Sequence, residues 1–354
     1  MADRLSSVDA FRGLTMAGMV IVNNPGTWDA IYWPLEHAEW HGWTPTDLIF
    51  PFFVFLVGVS LTLSRQSLAA PSSRILRRGL TIVGLGLFMA GFPFFNPHRW
   101  RIPGVLQRIG LCYLAAAFVY RRTRRAAVLA GVVAALLIGY WIVLTTFGDL
   151  TPDGNIGARI DRALMGGHLW RTTWDPEGLL STVPAIATAL LGIIAGLWLT
   201  SDATPERKVN LLALGGVAFV AAGQAFHYVF PINKQLWTSS YVLLTAGAAA
   251  ILLAACMYLI DVRGARAWCR PLVVLGQNAI TLFVVSGLVA KLLIIVPARA
   301  RDGSASTVQG VIYERGFEWM GTEKVASLAY ALVFLTLMYL LCHLMHKRGV
   351  FLRA

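Results

Sequence analysis

The chain alternates long apolar runs with short polar breaks, and the runs are continuous rather than striped. Stretches 126–147, 179–199 and 272–296 each contain the ~20 residues that a bilayer crossing needs. A soluble amphipathic helix would interrupt such a run with a polar face. The pattern predicts helices at 7–24, 45–63, 79–95, 105–120, 126–147, 179–199, 209–228, 236–260, 272–296 and 324–343. The predicted fold class is therefore all-α, a polytopic membrane bundle of about ten transmembrane helices built as one domain over residues 1–354. The first stretch carries Asp9 and Arg12 near its start and has no small-residue cleavage site behind a clean apolar segment. It reads as a retained helix rather than a removable signal.

Composition agrees and adds orientation. Only 14% of residues are charged, against about a quarter in soluble proteins. A net charge of +12 would suit nucleic acid in a soluble chain. In a membrane protein the distribution of the charge carries the information, so no nucleic-acid partner is expected. With the N-terminus inside, 18 of the 30 Lys and Arg residues fall on the cytoplasmic side, Arg4, Arg65 and Arg353 among them. Ten fall outside, mostly in the loops 148–178 and 297–323 where acids offset them, and Arg108 and Lys291 lie inside helices. Both termini are thus expected in the cytoplasm, with the chain in a bacterial inner membrane. Cys112, Cys256, Cys269 and Cys342 have neither disulfide nor metal spacing and read as small buried hydrophobes. No tandem or inverted repeat is visible.

Polar groups within apolar helices are costly, which makes them the first candidates for function. Asp9, Arg12, Met16, Met19 and Asn23 are spaced three, four, three and four apart. Arg12 and Asn23 then differ by about 20° in azimuth and about 16 Å along the axis. That face is either a functional stripe or a helix-start salt bridge with an interfacial amide. The loop 25–43 gathers Trp28, Tyr32, Trp33, Trp40 and Trp43 with Glu36, His37, Glu39 and His41. Such aromatics form an interfacial belt or a platform for the apolar face of a sugar. His37 and His41 have a spacing that can grip zinc on a helix, yet no HExxH arrangement or third ligand accompanies them, and no metal is expected. A lone base and a surface histidine remain the open readings.

Thr44, Pro45 and Asp47 form a helix start, so Asp47 caps, orients a histidine, or does both. Pro51, one turn later, is a candidate bend. Gln107, Arg108, Gln277 and Asn278 lie in apolar helices, and Lys291 is placed to snorkel. Asp175 and Glu177 precede the helix predicted from 179, where the dipole favours acids.

Several of these segments carry a pattern. They are Arg4-Leu-Ser-Ser-Val-Asp9-Ala-Phe-Arg12-Gly13, Val22-Asn23, His37-Ala-Glu-Trp40-His-Gly42 and Thr46-Asp47-Leu-Ile-Phe50-Pro51. Further along come Arg101-Ile-Pro-Gly-Val-Leu-Gln107-Arg108, Ile160-Asp161-Arg162, Asp175-Pro176-Glu177-Gly178, Pro231-Ile-Asn233-Lys234-Gln-Leu-Trp237 and Leu275-Gly-Gln277-Asn278. Taken in this order, they resemble the heparan-α-glucosaminide N-acetyltransferases and their bacterial relatives over nearly the whole chain. His41 stands where that pattern commonly has Asn.

The resemblance implies a multi-span enzyme that moves the acetyl group of cytosolic acetyl-CoA to the amine of an extracytoplasmic amino sugar or glycan. It places the active-site histidine at His37 and its neighbouring asparagine at Asn23, and Asp47 would orient the imidazole. His37 would act as a base or as a transient acyl carrier. Arg12, Gln107, Arg108 and Asn278 would line the path of the coenzyme. Trp40, Glu36, Asp175, Glu177 and Lys234 would contact the acceptor. The expected partners are that acceptor, the lipid bilayer and, as a candidate assembly, a second copy of the chain. The rival function is an inner-membrane sugar transporter gated by the aromatic loop, which would place polar side chains at mid-bilayer on several helices.

Overall fold

A computed structural model describes residues 5–64 and 71–350. Arg4, Arg65 and Arg353, which contribute to the charge asymmetry, lie outside the described residues. The chain is mostly helical. In order, the principal helices are α1 (Ser6–Asn23), α2 (Ile49–Leu63), α3 (Ser72–Gly91), α4 (Val105–Arg122), α5 (Ala126–Thr146) and the short α6 (Ile156–Met165). They are followed by α7 (Leu179–Leu199), α8 (Pro205–His227), α9 (Ser239–Met257), α10 (Arg270–Gln277), α11 (Ala279–Ile295), α12 (Val308–Gly316) and α13 (Glu323–Lys347). A small antiparallel hairpin pairs Pro297–Arg299 with Ala305–Thr307.

Among the described residues, six helical segments are long and apolar enough to cross a membrane. They become seven if α10 and α11, bent by 80° at Asn278, count as one broken span. The other predicted stretches are helical too, but α1 carries Asp9 and Arg12, while α3 and α4 carry three arginines each. The largest boundary shift is α3, which starts at Ser72 instead of 79. Its first turns hold Arg74, Arg77 and Arg78, a helical segment that an apolar run does not reveal. Pro51 leaves α2 unbroken for a local reason. A 3₁₀ turn (Pro45–Leu48) precedes the α-helix that begins at Ile49, so Pro51 falls in the first α-helical turn, where its missing N–H costs nothing.

The described residues divide into two compact units. One comprises 5–37, 44–49 and 263–350; the other comprises 38–43, 50–64 and 71–262. In the first, α1 packs on α10 through two glycines. A Cβ on Gly13 would lie 1.8 Å from the Leu272 carbonyl oxygen, and one on Gly276 would lie 1.9 Å from that of Asp9. This backbone contact admits only hydrogen at both positions, the small-residue packing common between membrane helices. In the second unit Gly58 and Gly192 do the same for α2 and α7. Tyr140, Leu144, Phe230 and Leu236 are buried there together, with Trp40, Leu150 and Ile156 packed against them.

Candidate active site

The smaller unit holds the histidine. After α1 ends at Asn23, the chain runs through an irregular segment to Thr44, where the 3₁₀ turn begins. Thr44 is extended (φ −123°, ψ 168°) and forms a reciprocal capping box with Asp47. Its backbone N–H donates to Asp47 Oδ2 at 3.0 Å. Its hydroxyl reaches back to the Glu36 carbonyl oxygen at 2.5 Å, tying the residue before the histidine to the helix start. Asp47, 1% exposed, turns its other oxygen to His37 Nδ1 at 2.7 Å. Asp47 thus both caps and orients. A carboxylate accepts, so Nδ1 carries the proton and Nε2 is the basic nitrogen of the neutral ring. The His37 side chain is 41% exposed.

Asn23, the last residue of α1, is exposed, whereas Asn24 is buried and folds its amide back onto the Val20 carbonyl oxygen at 2.7 Å. At the other end of α1, Arg12 bonds Asp9 at 3.0 Å and approaches the Gly276 carbonyl at 3.4 Å. Asn278 marks the break between α10 and α11. Its amide nitrogen donates to the Val274 carbonyl at 3.0 Å, and its buried Oδ1 has no partner among the described residues.

The larger unit contains the remaining candidates. Gln107 donates to the Ile102 carbonyl at 3.0 Å. Arg108 is 1% exposed, lies over the Trp237 ring at 5.0 Å, and donates to the Gly178 carbonyl and the Ser181 hydroxyl. Arg12 and Asn278 therefore belong to one unit, and Gln107 and Arg108 to the other.

Asp175 is fully engaged. It accepts from Arg101 Nε at 2.8 Å and Nη2 at 2.6 Å, and from the Trp170 and Glu177 backbone N–H groups. Glu177 also pairs with Arg101. Burial by itself would lower the Arg101 pKa, but its bonds to Asp175 and the nearby Glu177 outweigh that and raise it. Trp40 donates to the Leu150 carbonyl at 2.7 Å and meets Trp174 edge to face at 5.3 Å. Glu36 is exposed, and Lys234 is half-buried.

His41, four residues past His37, lies in the larger unit beside Asn233. Asn233 Oδ1 accepts from the Leu236 N–H at 2.8 Å, so its amide nitrogen faces His41 Nδ1 at 3.4 Å. Burial first, and then His227, lower the His41 pKa.

Sequence reasoning gave no role to Asp161, Trp174 or Gln235, which line a cleft with Trp40, Asn155 and Ser181. Asp161 lies in the Ile160-Asp161-Arg162 motif, yet a charged residue in a polar segment reads as solvated until the fold shows it 2% exposed. Burial pushes its carboxyl pKa up, the Leu179 N–H bond opposes this, and Asp175 adds to it.

The family described as "Heparan-alpha-glucosaminide N-acetyltransferase, catalytic" matches residues 4–230, which include His37, Asp47 and the Arg101–Asp175 pair. The chain belongs to this family. Heparan-alpha-glucosaminide N-acetyltransferase of Mus musculus is 30% identical over 353 residues, covering 80% of this chain and 53% of that protein. The protein of the same name from Homo sapiens is 29% identical over 352 residues, covering 79% and 52%. The chain thus spans about half the length of the curated relatives it matches. Family members carry the name of acyltransferases, and the apolar helices described above suit an integral membrane member.

Proposed function

We propose that this chain is a membrane acetyltransferase that takes the acetyl group of cytosolic acetyl-CoA and delivers it to the amine of an extracytoplasmic amino sugar or glycan end. It would act in a bacterial inner membrane as one domain of ten spans with both termini cytoplasmic. The observation that carries this reading is the His37–Asp47 pair at 2.7 Å. Acyl transfer to an amine needs a base that titrates near neutrality, and imidazole is the side chain suited to it. The buried carboxylate fixes the tautomer and stabilises the imidazolium that forms.

In this scheme Nε2 accepts a proton from the acceptor amine as its nitrogen attacks the thioester carbon. The tetrahedral species then collapses, a C–N bond replaces the C–S bond, and the coenzyme thiolate leaves with a proton from the imidazolium. Asn23, exposed at the end of α1, would donate to the oxyanion. Arg12, Gln107, Arg108 and Asn278 would line the pantetheine path, with the charged nucleotide kept on the cytoplasmic side. Trp40, Glu36 and Lys234 would meet the acceptor, with Asp175 and Glu177 as the motif partners already bound to Arg101.

Proteoliposomes of known orientation test the proposal. With glucosamine outside and radiolabelled acetyl-CoA enclosed on the cytoplasmic side, labelled N-acetylglucosamine should appear. Acetyl-CoA confined to the outer face should give none. Product from both reagents on one side would overturn the transmembrane route. Reporter fusions at His37, His168 and Lys234 should report the outside, and those at Arg77, Arg124 and Arg266 the cytoplasm.

A further inference from the structure

The strap that carries His37 is fastened by more than its bond to Asp47. The chain makes a 3₁₀ turn at Trp33–Leu35, closed by the Leu35 N–H on the Tyr32 carbonyl at 2.8 Å and the Glu36 N–H on the Trp33 carbonyl at 3.2 Å. A helical turn leaves its last carbonyls without an internal donor. Two of them, at Pro34 and Glu36, accept instead from threonine hydroxyls of the turn that opens the next helix. Thr46 Oγ1 donates to Pro34 at 3.0 Å, and Thr44 Oγ1 to Glu36 at 2.5 Å.

Thr44, Glu36, His37 and Asp47 thereby close a ring. The Thr44 N–H holds Asp47 Oδ2 at 3.0 Å, and its hydroxyl holds the carbonyl of Glu36. The next residue is His37, whose Nδ1 returns to Asp47 Oδ1 at 2.7 Å. The Thr44 hydroxyl also lies 3.2 Å from Asp47 Oδ2, but it has one hydrogen, and the shorter contact takes it.

A buried threonine finds a partner wherever it lies, so the bonds alone assign nothing. Their reach does. Thr15, Thr182 and Thr245 are buried too, and each bonds the carbonyl four residues back in or beside its own helix. Thr44 and Thr46, 6% and 3% exposed, reach eight and twelve residues back to a separate turn. The half-exposed His37 ring has little packing to fix it, so its place depends on the backbone that carries it.

We propose that Thr44 and Thr46 are positioning residues for His37. They hold the backbone before the imidazole while Asp47 holds its Nδ1 edge, and Nε2 keeps one direction. Thr44 has the larger part, because its tie adjoins His37 and closes the ring, whereas that of Thr46 lies three residues earlier. The inference rests on the acetyltransferase reading for what Nε2 does, and on the hydrogen bonds for how the ring is held.

The test uses the full-length protein in detergent with ¹⁵N-labelled histidine. The bonded Nδ1 proton of His37 is identified by its loss in His37→Ala, and its exchange with water is measured beside kcat, KM and the melting temperature. Thr44→Val suits the extended backbone at this position and keeps the N–H on Asp47, so it removes the hydroxyl alone. It should speed exchange and lower kcat by about tenfold or more, since misplacing a catalytic group by about 1 Å can cost about 10²-fold. KM and the melting temperature should stay near wild type, and Thr44→Ser should restore both exchange and kcat. Thr46→Val should give a smaller change of the same kind, and Thr15→Val, which loses a hydroxyl bond inside α1, none. Should Thr44→Val fail to fold, Thr46→Val and Thr44→Ser decide the matter by the same readouts. Wild-type exchange and kcat in Thr44→Val would overturn the proposal. So would an equal change in Thr15→Val, no recovery in Thr44→Ser, or no bonded proton in the wild type. A wild type that transfers no acetyl group, with the proton still freed by Thr44→Val, would sink the enzymatic reading and leave the positioning of His37 standing. Unaltered transfer in every threonine variant would do the reverse.

Discussion

Two acidic helix starts in this protein look alike in sequence and do different chemistry. Asp47 opens the segment Pro45–Leu63, and Asp175 and Glu177 precede α7. Each lies in or beside a tryptophan-rich loop and follows a basic candidate residue. At the first, one carboxylate oxygen caps the turn and the other orients a half-exposed imidazole. At the second, Arg101 and two backbone N–H groups absorb the Asp175 carboxylate, and Glu177 shares the same guanidinium. A carboxylate that orients a titratable ring tunes reactivity. One that is locked to a permanently charged arginine braces a loop.

The sharpest break of this comparison is His37→Ala. Loss of a general base is expected to lower acetyl transfer by about 10²–10⁴-fold, with the melting temperature nearly unchanged because the exposed ring has little packing to lose. Radiolabelled product formation and a thermal melt check both halves.

Next in size is Arg101→Ala. It leaves Asp175, whose side chain is fully buried, without its cation. Breaking a buried pair costs about 3–5 kcal/mol, and a smaller loss is expected here because the Arg101 side chain is 27% exposed. The fall should appear as lower thermal stability. If kcat drops while the melt is unchanged, Arg101 acts in the reaction and the contrast fails.

Asp47→Asn preserves the shape of the cap and removes the charge behind His37. Activity should fall by about tenfold or more, since the neutral amide neither fixes the proton on Nδ1 nor offsets the charge that forms on the ring. Asp47→Ala additionally loses the cap, which is worth about 1 kcal/mol. Wild-type activity in Asp47→Asn would leave Asp47 with capping alone.

The smallest effect expected is that of His41→Asn, which should retain activity within a few-fold. Burial and His227 hold the folded His41 pKa below the ordinary 6.5. The unfolded chain therefore binds more protons as pH falls through the unfolded value, and stability declines there until the folded pKa is passed. The variant should show a flatter dependence of melting temperature on pH over that acidic window. An unchanged slope would remove His41 from the account.

Legibility followed the range of the forces involved. Continuous hydropathy located the helices because burial in lipid selects apolar residues one by one along the chain. It missed α6 and the first turns of α3, whose arginines and polar residues hide helical structure that no apolar run marks. The capping box was readable at Thr44 and Asp47 because a cap involves residues three apart. The choice between capping and orienting depends on the path of the ten residues from His37 to Asp47, which no local pattern fixes.

The sequence by itself determined the helical class, the membrane setting and the family, since each rests on local composition or on ordered motifs. Only the tertiary structure decided which charges are spent and which are held in reserve. Asp161 and Asp175 lie 14 residues apart in one polar loop and look equivalent as letters. Asp175 meets Arg101 twice, and Asp161 is buried with a single backbone N–H among the described residues. The difference arises because side chains far apart in sequence must converge before a carboxylate has a partner, and convergence is a property of packing rather than of any local pattern.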